Sequence, residues 1–152
     1  MKTLFLLDLD HTLIYGSYAP SESAALLFSY SQYLKVYERP HVRQFISQLQ
    51  DLGEIIVFTT AKEDYAEKIC ELLYIQPLEI LSRAQCKKVG DGYRKLLRKK
   101  WTLSYDRIII VDDSPQVWET GEASIHWIVP AEFRGDAADK GLLACIDLLK
   151  IS

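Results

Sequence analysis

Two runs of this chain are apolar without a break and mostly β-branched: Ile55-Ile56-Val57-Phe58 and Ile108-Ile109-Ile110-Val111. A strand with one wet face alternates apolar and polar residues. A run with no polar face must be covered on both sides, as in a parallel sheet between two layers. Thr3 to Leu7, Leu78 to Leu81 and Ile125 to Val129 suit the same role. Helical spacing fills the gaps between them. Val42, Phe45, Ile46 and Leu49 mark one helix face, with Pro40 near its start and Gly53 at its stop; Ala66, Ile69, Cys70 and Leu73 repeat the pattern. A third helix is expected over part of Gly92 to Trp101, and a last one from about Asp136 to Leu149. Strand and helix in alternation predict an α/β, doubly wound architecture. We expect a single Rossmann-like domain over residues 1–152, with a mainly parallel five-stranded sheet flanked by helices.

At 152 residues and 49% apolar content, the chain suits one well-buried core. The net charge of −3 offers no strong basic field, so nucleic acid is not an expected partner. No apolar stretch approaches a membrane span, and no membrane association is expected. The opening apolar run ends in Asp8-Leu9-Asp10, which suits no signal peptide, so an intracellular location is expected. Cys70, Cys86 and Cys145 are odd in number and widely spaced. They read as reduced structural thiols rather than a zinc site or a disulfide framework.

One region breaks the α/β rhythm. Tyr15 to Glu38 carries Tyr15, Tyr18, Phe28, Tyr30, Tyr33 and Tyr37. Phe28 to Tyr37 suits a β-hairpin turning near Ser31-Gln32. It is either a plain surface hairpin or a flap beside an active site whose aromatics touch substrate, tyrosine offering a large contact at low rotamer cost.

In a parallel α/β sheet, ligands bind beyond the carboxyl ends of the strands. Asp8-Leu9-Asp10-His11-Thr12 follows the first strand, Thr59-Thr60 the second, and Asp112-Asp113-Ser114-Pro115 the fourth. If these strands are neighbours, four carboxylates converge on one crevice, where they repel one another and lose water. A hard divalent cation such as Mg2+ relieves that conflict. Asp8 and Asp10, at i and i+2 of an extended segment, point the same way. One can then serve as nucleophile and the other carry a proton. A strongly anionic substrate also calls for a fixed cation, for which Lys87, Lys88, Lys95, Lys99 and Lys100 are candidates.

Asp8-Leu9-Asp10-His11-Thr12-Leu13 resembles the D-x-D-x-T/V signature of haloacid-dehalogenase (HAD) phosphatases. Arg39-Pro40-His41-Val42-Arg43-Gln44-Phe45, Phe58-Thr59-Thr60-Ala61, Asp64-Tyr65-Ala66 and Val111-Asp112-Asp113-Ser114-Pro115 resemble its FCP/SCP-like (NLI-interacting-factor-like) subgroup. That subgroup removes phosphate from serines of the RNA polymerase II tail and of other proteins. The resemblance implies a Mg2+-dependent phosphomonoester hydrolase working through an aspartyl-phosphate on a phosphorylated protein or peptide. It implies Asp8 as nucleophile and metal ligand. Asp10 would be acid and base, with its backbone carbonyl on the metal. Thr59, with Thr60, would hold phosphate oxygens. Lys95 would neutralise the phosphate, Asp113 would be the last metal ligand, Asp112 would orient Lys95, and Arg83 would lie near the phosphate pocket. His11 stands where the subgroup often has glutamate; His41 and His126 read as structural.

Neither Thr12 to Pro40 nor Thr60 to Lys95 has room for a cap domain. An open site favours a macromolecular substrate that itself excludes water. A small-metabolite or nucleic-acid-end phosphatase, and a catalytically silent binding module such as the mitochondrial import subunit of this fold, are the alternatives. An acid that must carry a proton at the start predicts a mildly acidic preference.

Overall fold

The structure is a computed structural model that describes residues 1–19 and 23–151. In chain order the elements are β1 (Thr3–Leu7), β2 (Ile14–Ser17), β3 (Ala25–Ser29), β4 (Lys35–Glu38), α1 (Val42–Leu52), β5 (Glu54–Phe58), α2 (Glu63–Leu72) and β6 (Glu79–Leu81). There follow β7 (Lys87–Val89), β8 (Gly92–Leu96), α3 (Lys99–Ser104), β9 (Arg107–Val111), β10 (Trp118–Glu119), β11 (His126–Ile128) and α4 (Gly141–Ile151). The five strands expected from sequence form one parallel sheet in the order β11-β9-β1-β5-β6.

The unbroken apolar runs lie where their composition requires. Successive residues of a strand face opposite sides. Phe5, Leu7, Ile55, Val57, Ile109 and Val111 meet the buried faces of α1, α2 and α4, while Leu4, Leu6, Ile56, Phe58, Ile108 and Ile110 meet Leu81, Trp101 and Trp118. The second layer is thin: a six-residue helix, α3, and a small sheet in the order β10-β8-β7. Large aromatics make up the thickness. Phe58 packs edge-on against Trp101 and Trp118, with ring centroids 6.4 and 5.2 Å away.

Two boundaries differ from the sequence expectation. The sequence expects a helix over part of Gly92 to Trp101; Gly92–Leu96 is strand β8, and α3 begins at Lys99 and runs past Trp101 to Ser104. β7 and β8 pair with Val89 opposite Gly92 across the loop Gly90-Asp91, and Gly90 has φ +59°. A Gly-Asp pair with positive φ at its first position is a hairpin signal, and it outweighs the helical propensity of the basic residues that follow. The last helix starts at Gly141 rather than Asp136. Side chains of Asp136 and Asp139 accept backbone N–H bonds from Ala138 (2.9 Å) and Gly141 (3.0 Å), which turns this stretch before the helix begins.

The aromatic region forms a three-stranded antiparallel flap in the order β2-β4-β3, with residues 30–34 joining β3 to β4. The expected hairpin is there. Its third strand, β2, holds Tyr15 but lies outside the hairpin expected over Phe28 to Tyr37. The part of the flap at residues 20–22 lies outside the described residues.

Arg39 joins the flap's exit to the sheet. It is fully buried, and its guanidinium donates to Asp139 Oδ1 (2.7 Å) and Oδ2 (3.2 Å), the Thr12 carbonyl (3.0 Å) and the Ala131 carbonyl (2.6 Å). One cation therefore holds the loop after β1, the segment after β11 and the approach to α4. Gly53 is required for a different reason. Its backbone is extended, which any residue adopts, but a Cβ there would lie 2.5 Å from the Thr3 carbonyl oxygen of β1.

Gly53→Ala should lower stability in urea unfolding by about 1–3 kcal/mol, because the clash is with backbone. Arg39→Met leaves Asp139, the buried Thr12 carbonyl and the partly buried Ala131 carbonyl without this donor and should cost about 3–5 kcal/mol in the same measurement.

Candidate active site

The chain order of the sheet reverses at β1. β5 and β6 extend one side, then the chain crosses to β9 and β11 on the other. The crevice of such a sheet opens at the carboxyl ends of the strands flanking that reversal. Asp8 follows β1 and Asp112 follows β9, and the ladder carries both to their places: Asp8 N donates to Val111 O (3.0 Å) and Asp112 N to Ile128 O (3.2 Å).

β8 delivers Lys95 between them. Its ammonium lies 2.9 Å from Asp8 Oδ1 and 2.7 Å from Asp112 Oδ2, and all three side chains are buried. Asp112 is held further by Trp118 Nε1, which donates to Oδ2 (2.9 Å), and by Ser114 N, which donates to Oδ1 (2.9 Å). The Thr12 hydroxyl lies within hydrogen-bond distance of Asp8 Oδ2 (2.8 Å) and Asp113 Oδ1 (3.1 Å) and accepts from Asp113 N (3.1 Å). With one proton to give, it bonds one carboxylate at a time. Tyr65 OH donates to Asp10 Oδ1 (3.0 Å).

Burial raises the Asp8 carboxyl above the usual carboxylate range against the pull of Lys95. Burial and then the Asp8 charge push Asp10 to about 6, and the same two causes push Asp112 to about 6. Burial works against the charge on Lys95, yet Asp8 and Asp112 outweigh it and raise its pKa. A carboxyl in the position of Asp10 thus holds its proton on the acidic side of neutrality, where the sequence expects the reaction to run.

Carboxylate oxygens of Asp8, Asp112 and Asp113 lie within 4.8 Å of one another. Both oxygens of Asp112 are already engaged. Asp8 Oδ2 meets the Thr12 hydroxyl, the Asp113 carboxylate meets the hydroxyls of Thr12 and of Ser114 (3.4 Å), and the Asp8 and Asp113 carboxyls meet each other. An all-oxygen donor set with surplus negative charge fits a hard divalent cation. Asp8 and Asp113 are the side chains free to take one.

The crevice, about 140 Å³, is lined by Asp8, Asp10, His11, Thr60, Lys95 and Asp113 among others. It adjoins a groove of about 350 Å³ that shares Asp10 and runs along the flap past Tyr30, Leu34 and Tyr65. The flap therefore stands beside the carboxylates. A larger cavity, about 470 Å³, opens at the other end of β9 beside α3, away from them.

Of the residues expected from sequence, Asp8, Asp10, Lys95, Asp112 and Asp113 converge here. Thr60 lines the crevice. Thr59 is buried, and its hydroxyl accepts from Ala61 N (3.1 Å). Arg83 lies on the groove, its Nε donating to the Thr60 carbonyl (3.0 Å) and its guanidinium 5.2 Å over the Tyr93 ring. His11 is on the crevice wall with φ 63°, its Nδ1 3.1 Å from the Phe133 carbonyl oxygen. Sequence reasoning assigned no role to Thr12, Tyr65 or Trp118. Thr12 and Tyr65 stood inside the recognised motifs and were open to assignment; nothing local marks Trp118.

A family model described as NLI interacting factor-like phosphatase matches residues 2–152. The chain is 30% identical to CTD small phosphatase-like protein 2 of Dictyostelium discoideum, over 98% of this chain and 27% of that protein. It is 30% identical to phosphatase PSR1 of Saccharomyces cerevisiae, over 98% and 36%. With CTD small phosphatase-like protein 3 of Caenorhabditis elegans it shares 39% identity over 59% of this chain and 34% of that one. The matched stretch is about a third of the length of these curated relatives. The fold superposes on that of the fission yeast RNA polymerase II CTD phosphatase Fcp1 with a TM-score of 0.62 at 18% identity, covering 99% of this chain and 51% of the other. Matched by the family model along essentially its whole length, and at 30% identity to members across nearly all of it, the chain belongs to the NLI interacting factor-like phosphatase family.

Proposed function

We propose that this chain is a Mg2+-dependent phosphomonoester hydrolase that removes phosphate from serine or threonine of a protein through an aspartyl-phosphate on Asp8. The buried Lys95 ammonium between Asp8 and Asp112, at the switch point of the sheet, carries the reading. Such a triplet holds one carboxylate oriented and partly neutralised, as a nucleophile for an anionic ester must be. Family membership and the relatives' names support phosphatase chemistry, and the open groove beside the crevice favours a peptide over a metabolite.

A carboxylate oxygen of Asp8 attacks phosphorus as the bond from phosphorus to the serine oxygen breaks. Asp10 gives its proton to that leaving oxygen, with Tyr65 OH holding the carboxyl in place. The ionised Asp10 then takes a proton from water, whose oxygen attacks the phosphorus of the aspartyl-phosphate and frees Asp8 and inorganic phosphate. Lys95 offsets negative charge throughout, and Asp112, fixed by Trp118 and Ser114, keeps its ammonium aimed at Asp8. Thr59 and Thr60 hold phosphate oxygens. The carboxylates of Asp8 and Asp113 and the backbone carbonyl of Asp10 would hold Mg2+, which supplies Lewis-acid charge toward the phosphate oxygens when bound.

Phosphate release from p-nitrophenyl phosphate and from a phosphoserine peptide tests this. Turnover should vanish with EDTA, return with Mg2+, and be abolished in Asp8→Asn. Asp10→Asn should slow the phosphoserine peptide by about 10²–10⁴-fold, as loss of a general acid does. It should slow p-nitrophenyl phosphate less, because that leaving group departs without a proton. No turnover of either substrate by folded, Mg2+-loaded protein would replace the enzyme with a binding module.

A further inference from the structure

The groove along the flap shares Asp10 with the crevice, so a peptide with its phosphoserine at Asp8 places a neighbouring residue there; successive Cα atoms are only about 3.8 Å apart. Tyr18, Tyr30 and Tyr65 form its aromatic wall, and Lys62 and Arg83 line it as well. Three nearby cations are paired, Lys95 with Asp8 and Asp112, and Lys87 and Arg94 with Glu119. Among the described residues, neither Lys62 nor Arg83 has a carboxylate partner. Both are exposed, Lys62 just ahead of α2. Arg83 is anchored through Nε on the Thr60 carbonyl, which fixes the guanidinium and leaves its terminal nitrogens for a ligand. The nearby Asp64 is turned to the flap, its oxygens each 3.1 Å from Tyr30 OH, and is not part of the groove lining. Asp10 is the lining residue shared with the crevice, so an incoming anion is favoured at the two cations rather than beside Asp10.

We infer that this groove selects phosphopeptides bearing an aspartate or glutamate next to the phosphorylated residue, with Lys62 and Arg83 as the specificity-determining groups. The inference rests on the phosphatase reading and deepens it to a substrate class. A neutral side chain fills the aromatic wall and leaves both cations without a partner; a lysine or arginine is repelled.

The test uses matched phosphoserine peptides that differ only in the flanking residues: aspartate, alanine or lysine. kcat/KM is measured on the natural protein, and Kd by fluorescence anisotropy on Asp8→Asn, which separates docking from turnover. The aspartate peptide should exceed the alanine peptide by about threefold to tenfold, mainly through KM, as expected of partly exposed charge contacts, and high salt should shrink the difference. Lys62→Glu should reverse the order in favour of the lysine peptide, and Arg83→Ala should narrow it. Equal kcat/KM for the three peptides, or an order that Lys62→Glu leaves unchanged, overturns the inference while the phosphatase reading stands. Should no peptide turn over, the phosphatase reading fails, and anisotropy alone decides: tighter binding of the aspartate peptide upholds the groove's selectivity, and equal Kd values overturn it.

Discussion

A lysine with 2% of its surface exposed, held between two buried carboxylates, is the interaction on which the rest of this structure depends. An unpaired ammonium at that depth would lose its charge, and either carboxylate alone would be costly to bury. Together they are tolerated, but only in one geometry. Asp8 and Asp112 come from adjacent strands in fixed register, and Lys95 comes from a different sheet. The small β10-β8-β7 sheet is therefore part of the site, because it is what carries the cation across the end of the main sheet. Asp8, Asp10, Asp112 and Asp113 nonetheless outnumber that one cation. Burial raises all three carboxyl pKa values, and the Asp8 charge adds to it at Asp10 and Asp112; a phosphate dianion approaching the carboxylates alone would be repelled.

A second buried cation secures the first arrangement. Arg39 fixes the carbonyl of Thr12, whose hydroxyl meets both Asp8 and Asp113. The turn after β1 is thus held from behind by Arg39 and from the front by the carboxylates. His11, next to Thr12, takes a left-handed conformation, and its amide and carbonyl are used by Ile14 O and Phe133 N. Backbone and side chain alike leave this loop little freedom, which suits residues that must present a nucleophile and an acid together.

Sequence alone made the sheet legible because its physics is local. Ile55 to Phe58 and Ile108 to Val111 have the length and β-branched content of strands covered on both faces, and Thr59-Thr60 and Asp112-Asp113, which follow them, fall at the carboxyl edge in any parallel arrangement. The family motifs then picked Lys95 out of a basic run that has no marker of its own. What stayed hidden depended on partners distant in the chain. A helix was expected over part of Gly92 to Trp101; the pairing of β8 with β7 and β10 makes the part that holds Lys95 a strand. Trp118 reads as an ordinary core aromatic, and the bond from its indole to Asp112 is visible only in three dimensions. Arg83 was expected near the phosphate; that it lies on the groove, tied to the carbonyl of the crevice residue Thr60, is visible only in three dimensions.

Trp118 also shows why core and chemistry cannot be separated here. Its ring packs against Phe58 in the thin layer of the sheet, and its Nε1 holds the oxygen of Asp112 that also binds Lys95. The layer whose only α-helix among the described residues is the short α3 thus rests on an aromatic whose polar edge is tied to the site. A tryptophan buried in this way must find an acceptor for its N–H, and Asp112 is that acceptor. The requirement works in both directions. Packing of the indole limits where Asp112 can sit, and the buried carboxylate limits how the indole can turn. The position of Lys95 against Asp8 follows from both, so the orientation of the nucleophile is set by the same contacts that close the hydrophobic core.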